Sequence, residues 1–342
     1  PRYAVMSFHV FLHEGVDLAV YETHKGGEFD QTNVIAHPVV TAITPIGIDH
    51  IATLGPSIEN IAWHKAGVFE VGAAALSICR EPAVAEVLNA RAAEKGVMLK
   101  FVGVDHQLPG DFAARVQRLN RSLAREVADA FLARMSPGQR LSREDIVEGM
   151  RQFSWPGRFQ TIHDGRCTWF LDGAHNELSV REAAEYKLHC LFFSSLCQRD
   201  VADTAPRGSA LPRRVLVFAQ VSHDRDVDSV LRRLAQYMQH KVQEVIFTVG
   251  KYDSYGTDNR LTSNSYGPAE SLSEESTIIT RYAEIWQELE PQARVSISAT
   301  TKDAVERARM SAGSANNTHV LVTGSLRLVG NVFQILGVAV AS

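Results

Sequence analysis

Residues 43–69, ITPIGIDHIATLGPSIENIAWHKAGVF, read as a short apolar strand, a loop carrying Asp49-His50, and a helix that places Lys65 among small and apolar neighbours. Val39, Val40, Ala42, Ile43 and Ile46 form the strand run, and Pro45 and Gly47 mark its end. Ser57-Ile58-Glu59-Asn60 supplies a helix start, after which Ile58, Ile61, Ala62 and Lys65 recur at helical spacing. A polar pair at the carboxyl end of a strand is where open α/β sheets build their sites. A lysine between Trp63 and Gly67-Val68-Phe69 is costly to bury unless it is paired or modified. The same residues also read as a surface loop followed by a snorkelling lysine.

Outward from this stretch, strands and helices alternate. Residues 3–14 suit an amphipathic helix ended by Gly15, and 16–22 read as a strand with Glu22 at its carboxyl end. Glycines and polar residues follow over 26–33. Past residue 69, a strand is expected near 73–78, a helix over 82–95, a short strand over 97–103 and a helix over 111–135. Ser142-Arg143-Glu144-Asp145 opens a further helix that runs to about Phe153. Trp155-Pro156-Gly157-Arg158 breaks the pattern and sets a domain boundary, giving domains 1–154 and 155–342. The second half is expected to hold strands at 169–171, 215–219, 244–249, 294–298 and 319–323. Its helices are expected over 177–193, 226–238, 277–289 and 301–311, and the Ser-, Gly-, Asn- and Thr-rich stretch 252–276 as a long loop or disordered insert. The expected fold class is α/β, two α/β domains with mostly parallel sheets and crossover helices.

Composition bounds the function. A chain of 342 residues, 45% hydrophobic and 22% charged, has enough apolar surface for two sizeable cores. A net charge of −4, with no basic run longer than Arg213-Arg214 or Arg232-Arg233, gives no electrostatic case for nucleic acid. No apolar run approaches a membrane span, and no signal-peptide pattern opens the chain, which begins Pro1-Arg2-Tyr3. The four cysteines, Cys79, Cys167, Cys190 and Cys197, lack metal-type spacing and are expected as free thiols in a reducing compartment.

Three sets of residues can carry chemistry. Glu22, Asp49 and His50 offer carboxylate oxygens and one imidazole, a mixture suited to Mg²⁺ or Mn²⁺, although each also reads as a solvated loop residue. Lys65, in an apolar setting, would have a lowered pKa and a neutral amine able to take up CO₂ as a carbamate; a surface pair with Glu59 or Glu70 is the alternative. The third set is Arg158, with a planar fork suited to phosphate, and Asp172-Gly173-Ala174-His175-Asn176. Asp172 at a strand end suits a ribose hydroxyl, or only a turn, and His175-Asn176 also reads as a helix cap.

Taken together, Glu22, Gly26-Gly27, Asp30 and Thr32-Asn33, then GIDHIATLGPSIENIAWHKAGVF, WPGRFQ, LDGAHN and VTGSLRLVG, span nearly the whole chain. In that order they resemble the folylpolyglutamate synthase and dihydrofolate synthase family, a branch of the Mur-type ATP-dependent amide ligases. Ala62-Trp63-His64-Lys65 makes the resemblance closest to fungal and animal forms. It implies a Mur-ligase-like central (ATPase) domain over 1–154, incomplete at its N-terminus, and a Rossmann-like C-terminal domain over 155–342. It also implies that Glu22 and His50 are Mg²⁺ ligands and that Lys65 falls on a lysine carbamylated in some members. Arg158 and Asp172 would contact the nucleotide, with His175 and Asn176 in the same ATP-facing motif. The reaction implied is ATP-dependent addition of L-glutamate to the γ-carboxylate of a folate through an acyl phosphate. The implied setting is a monomer in the cytoplasm, with a mitochondrial pool as the alternative.

The sequence departs from that family at three places. A G-x-x-x-x-G-K-[ST] phosphate loop occurs nowhere in residues 1–342; in the family it lies upstream of the helix that opens this chain. Tyr21-Glu22-Thr23-His24-Lys25 replaces more apolar residues before the glycine pair, and Tyr186-Lys187-Leu188-His189-Cys190 stands where Trp-Phe is usual. These departures keep two alternatives open: a related acid–amino-acid ligase of a biosynthetic pathway, and a non-catalytic binding protein that retains the fold.

Overall fold

The computed structural model describes residues 2–78, 81–109, 114–185, 212–220, 226–249, 271–311 and 317–338. The chain divides into two compact units, Pro1–Phe153 and Ser154–Ser342.

In the first unit the order is α1 (Arg2–Glu14), β1 (Val40–Ile43), α2 (Ile51–Leu54), α3 (Ile58–Lys65), β2 (Ala74–Ser77), α4 (Pro82–Glu94), β3 (Leu99–Phe101), α5 (Arg115–Met135) and α6 (Arg143–Gln152). The three strands form one parallel sheet in the order β1-β2-β3. Parallel strands need both faces covered. One face buries Ile43 and Ala75 against Ile61, Ala62 and Ala66 from α3 and its continuation, and against Val84, Leu88 and Ala92 of α4. The other buries Leu76 and Ile78 against Leu119 and Leu123 of α5. The Ser142 and Asp145 side chains make a capping box at the start of α6, where a helix start was expected.

The strand expected at 16–22 does not form. Val16, Leu18 and Val20 are exposed, and this segment pairs with no strand of the sheet. Alternation specifies a strand only where a sheet edge and a core await it. Here Tyr21 stacks instead on Phe8 and packs edge-on against Phe11 of α1, holding the segment to the helix.

The second unit runs β4 (Gln160–Asp164), β5 (Cys167–Leu171), α7 (177–185 of the described residues), β6 (Arg213–Phe218), α8 (Val227–Met238), β7 (Glu244–Thr248), α9 (Ser271–Leu289), β8 (Arg294–Ser298), α10 (Thr301–Met310), β9 (Thr318–Thr323) and α11 (Leu326–Ile335). Its sheet has the order β4-β5-β9-β6-β7-β8, parallel except for the β4–β5 hairpin. Helices α7, α8 and α9 share one core with Phe170, Leu216, Val245 and Leu321. Helices α10 and α11 share the core on the opposite face with Trp169, Val217, Ile246 and Val322.

The insert expected over 252–276 ends earlier than its composition suggested, because α9 already begins at Ser271; residues 250–270 lie outside the described residues. The end of the helix expected over 177–193 also lies outside them, as do Cys79, Cys190 and Cys197. Cys167 is a buried free thiol whose pKa burial raises, so it is unreactive. No described helix is long and apolar enough to cross a membrane.

Candidate functional site

The first unit gathers its polar residues beyond the carboxyl end of β1. The chain passes Pro45 and Gly47 and reaches His50, which has φ 54° and ψ 38° as the residue preceding α2. This left-handed geometry costs a residue with a Cβ roughly 1–3 kcal/mol and persists only when its surroundings demand it. Asp49 Oδ1 accepts the His50 backbone N–H at 2.8 Å and stands 3.9 Å from His50 Nδ1.

Ser57 starts α3 as expected, its hydroxyl accepting the Asn60 N–H at 3.2 Å. Ile61 and Ala62 face the core with no exposure, which leaves Lys65 half-buried in the last turn. Burial pulls the Lys65 ammonium below its ordinary pKa, while the carboxylates of Asp49 and Asp30 oppose that shift. The surface pairs considered from sequence do not account for Lys65: Glu59 turns to Ser57, and Glu70 lies 3.7 Å from Lys95.

Asp30, not among the residues expected from sequence to carry chemistry, joins this group. Its carboxylate accepts the backbone N–H groups of His24 (3.1 Å), Lys25 (2.7 Å) and Thr32 (2.9 Å) and the Thr32 hydroxyl (2.7 Å). The Asp-x-Thr spacing was its signal, since an aspartate that caps the amide two residues on makes a compact turn. A cleft of about 450 Å³ opens beside this turn, lined in part by His24, Lys25, Phe29, Asp30 and His64.

Glu22 is exposed on the irregular segment before that turn, not at a strand end. Among the described residues no three His, Cys, Asp or Glu side chains cluster closely enough to hold a metal by themselves.

The site of the second unit lies at the carboxyl ends of β5, β9 and β6. Strand β5 leads into α7 on one face of the sheet, whereas its neighbour β9 leads into α11 on the other. Adjacent strands whose helices leave to opposite faces open a crevice between them, the usual ligand position in open α/β sheets. Ser325 caps α11 by accepting the Leu328 N–H, and Asn176 Oδ1 accepts the Ser179 N–H at 2.9 Å at the start of α7. Two helix N-termini therefore stand beside the crevice, where backbone N–H groups favour an anion.

Asp172 is 2% exposed, and its two oxygens accept the N–H groups of Phe159 and Ala174, each at 2.9 Å. It braces the WPGRF turn against the end of β5, together with the Gly173 N–H donated to the Gly157 carbonyl at 3.0 Å. Arg158 is half-buried, with its guanidinium 5.8 Å from the Trp155 ring centre. A Cβ on Gly173 would stand 3.2 Å from Arg158 Nη1 and 2.3 Å from the Leu326 side chain, which would have to shift to admit it. His175 Nδ1 lies 2.8 Å from the Gly173 carbonyl, which can only accept, so Nδ1 carries a proton and the contact fixes the ring at the crevice. Buried Gln220 donates to the His175 carbonyl at 2.8 Å, a contact that no local pattern announces.

No family model matches the chain. The folylpolyglutamate synthase of Neurospora crassa is 34% identical over 357 residues, covering 98% of this chain and 64% of the relative. The probable folylpolyglutamate synthase of Schizosaccharomyces pombe is 31% identical over 350 residues, covering 98% and 66%. The chain thus spans just under two thirds of the length of these curated relatives. Among solved structures, the Mycobacterium tuberculosis folylpolyglutamate synthase complexed with ADP matches with a TM-score of 0.71 at 22% identity, over 99% of this chain and 72% of that one. The fold is that of the two-domain, Mur-ligase-like proteins. Within that class, the chain is similar over nearly its whole length to fungal folylpolyglutamate synthases.

Proposed function

We propose that the protein is an ATP-dependent ligase that adds L-glutamate to the γ-carboxylate of folates, including tetrahydrofolate polyglutamates, through an acyl phosphate. The observation that carries this reading is the switch-point crevice of the second unit. It offers two helix N-termini, the Arg158 guanidinium and the imidazole of His175 beside Gly173. That set suits the phosphates and sugar of a nucleotide. Relatives named folylpolyglutamate synthase, and a solved relative complexed with ADP, support the same choice.

In this reading Arg158 and Asn176 hold the nucleotide with His175, and Asp172 contributes by holding the turn that presents Arg158. In the first unit, Lys65 serves the reacting groups, burial lowering its pKa against the opposing carboxylates of Asp49 and Asp30. A carbamate at Lys65 would place a third negative charge beside those two carboxylates and needs a cation to screen it.

The donors suit Mg²⁺, which takes most of its ligands from water and phosphate and needs only one or two from protein. Glu22, exposed, and His50, held in its left-handed turn, are the residues that would hold it. When bound, the ion would neutralise charge on the phosphates and the acyl group.

The test is ADP release by the full-length protein given ATP, Mg²⁺, tetrahydrofolate and L-glutamate. Release that requires both tetrahydrofolate and glutamate is expected. Release without glutamate, or none at all, would overturn the reading.

A further inference from the structure

We propose that Arg91 and Glu28 form a latch that positions the Lys65 site, an inference whose kinetic part rests on the ligase reading. Arg91 projects from α4 and is 4% exposed. Its Nη2 reaches Glu28 Oε2 and its Nη1 reaches Glu94 Oε2, each at 2.6 Å. The same guanidinium lies over Trp63, 4.1 Å from the ring centre. Trp63 precedes Lys65 by two residues on α3, and Glu28 precedes Asp30 by two residues in its turn. One planar cation therefore touches both the helix that carries the amine and the loop that carries the carboxylate beside it.

The backbone contacts run the same way. The Glu28 N–H donates to the His64 carbonyl at 2.9 Å. A Cβ on Gly27 would stand 2.6 Å from the carbonyl oxygens of His64 and Lys65, and one on Gly67 only 2.3 Å from Glu28 N. Lys95, one turn beyond Arg91, donates to the Gly67 carbonyl at 3.0 Å and stands 3.5 Å from Glu28 Oε2. The loop is thus seated on the last turn of α3 with no room for a side chain between them.

A buried ion pair is a poor source of net stability, since desolvation offsets most of its attraction. Its particular gift is geometry: a guanidinium fork meets carboxylates in fixed planes, as a lysine or an apolar pair does not. Here that geometry sets where Asp30 stands relative to Lys65.

Glu28→Gln and Arg91→Lys test the latch in the full-length protein through two readouts. Hydrogen–deuterium exchange over 24–33 and 61–68 should quicken in both variants, with exchange in β2 and α5 unchanged. For ADP release, kcat should fall at least about tenfold while KM for glutamate stays within about twofold, because misplacement by an ångström costs the reaction and not the binding. The double variant should be no worse than the poorer single, since both changes break one unit. Unchanged exchange in the folded Glu28→Gln variant overturns the latch, even if Arg91→Lys fails to fold. Quickened exchange with unchanged kcat overturns its positioning role. Absence of turnover in the unsubstituted protein overturns the ligase reading instead, and exchange alone then decides the latch.

Discussion

Phe159 stands at φ 49° and donates its backbone N–H to Asp172 Oδ2 at 2.9 Å. A bulky residue in the left-handed region is rare, and this hydrogen bond to a buried carboxylate compensates for the strain. His50 in the first unit shows the same strain. Two of the three non-glycine residues with positive φ among the described residues therefore lie in the candidate sites.

Asp172→Ala should leave the amides of Phe159 and Ala174 without their acceptor, costing about 3 kcal/mol in urea denaturation, given the worth of hydrogen bonds to a charged group. Asp172→Asn, which keeps one carbonyl oxygen, should cost less. An Asp172→Ala variant as stable as the unsubstituted protein would remove the bracing role.

Two glycines should respond in opposite directions. Gly67→Ala drives a Cβ into the backbone of Glu28 and should destabilise by about 1–3 kcal/mol, as overpacking does. Gly149→Ala, in α6 with open space around it, should stabilise by about 0.5–1 kcal/mol through helix propensity. Paired thermal melts measure both, and equal effects would contradict the packing described.

Asp30 makes stability depend on pH. Burial pushes its carboxyl up, yet the Lys25 and Thr32 amides, the Thr32 hydroxyl and the charge of His24 together hold it below the ordinary aspartate value. A lowered folded-state pKa adds stability above the unfolded value and loses it as pH falls through the folded one. Asp30→Asn should therefore melt lower than the unsubstituted protein at neutral pH, with the gap narrowing below about pH 4. A gap independent of pH would contradict the ionised role.

Lys65 should resist carbamylation without a divalent cation. In ¹³C-bicarbonate NMR, the carbamate signal is expected only when Mg²⁺ is added, and Lys65→Ala should remove it. A strong signal in chelator would show that a carbamate beside Asp49 and Asp30 needs no cation to screen it.

Much of this was legible in the sequence because local patterns and tertiary structure agreed. The 39–69 stretch delivered β1, the Ser57 cap and the buried face of α3, since each is encoded within a few residues. The 16–22 segment misled because its alternation is local, whereas pairing depends on an edge elsewhere. Lys65 was found by its apolar neighbours, but its partner Asp30 lies 35 positions away in sequence and reaches it only through the seating of Gly27 on α3. β4 was missed because its alternation sits beside the Pro156-Gly157 break, and Gln220 because nothing near it points to His175.

The most direct measurement is mass spectrometry of the folate product after incubation with ATP, Mg²⁺ and L-glutamate. The account predicts a folate heavier by one glutamyl residue, joined through its γ-carboxylate, with one ADP formed per addition. Unchanged folate, or ADP formed without glutamate incorporation, would contradict it.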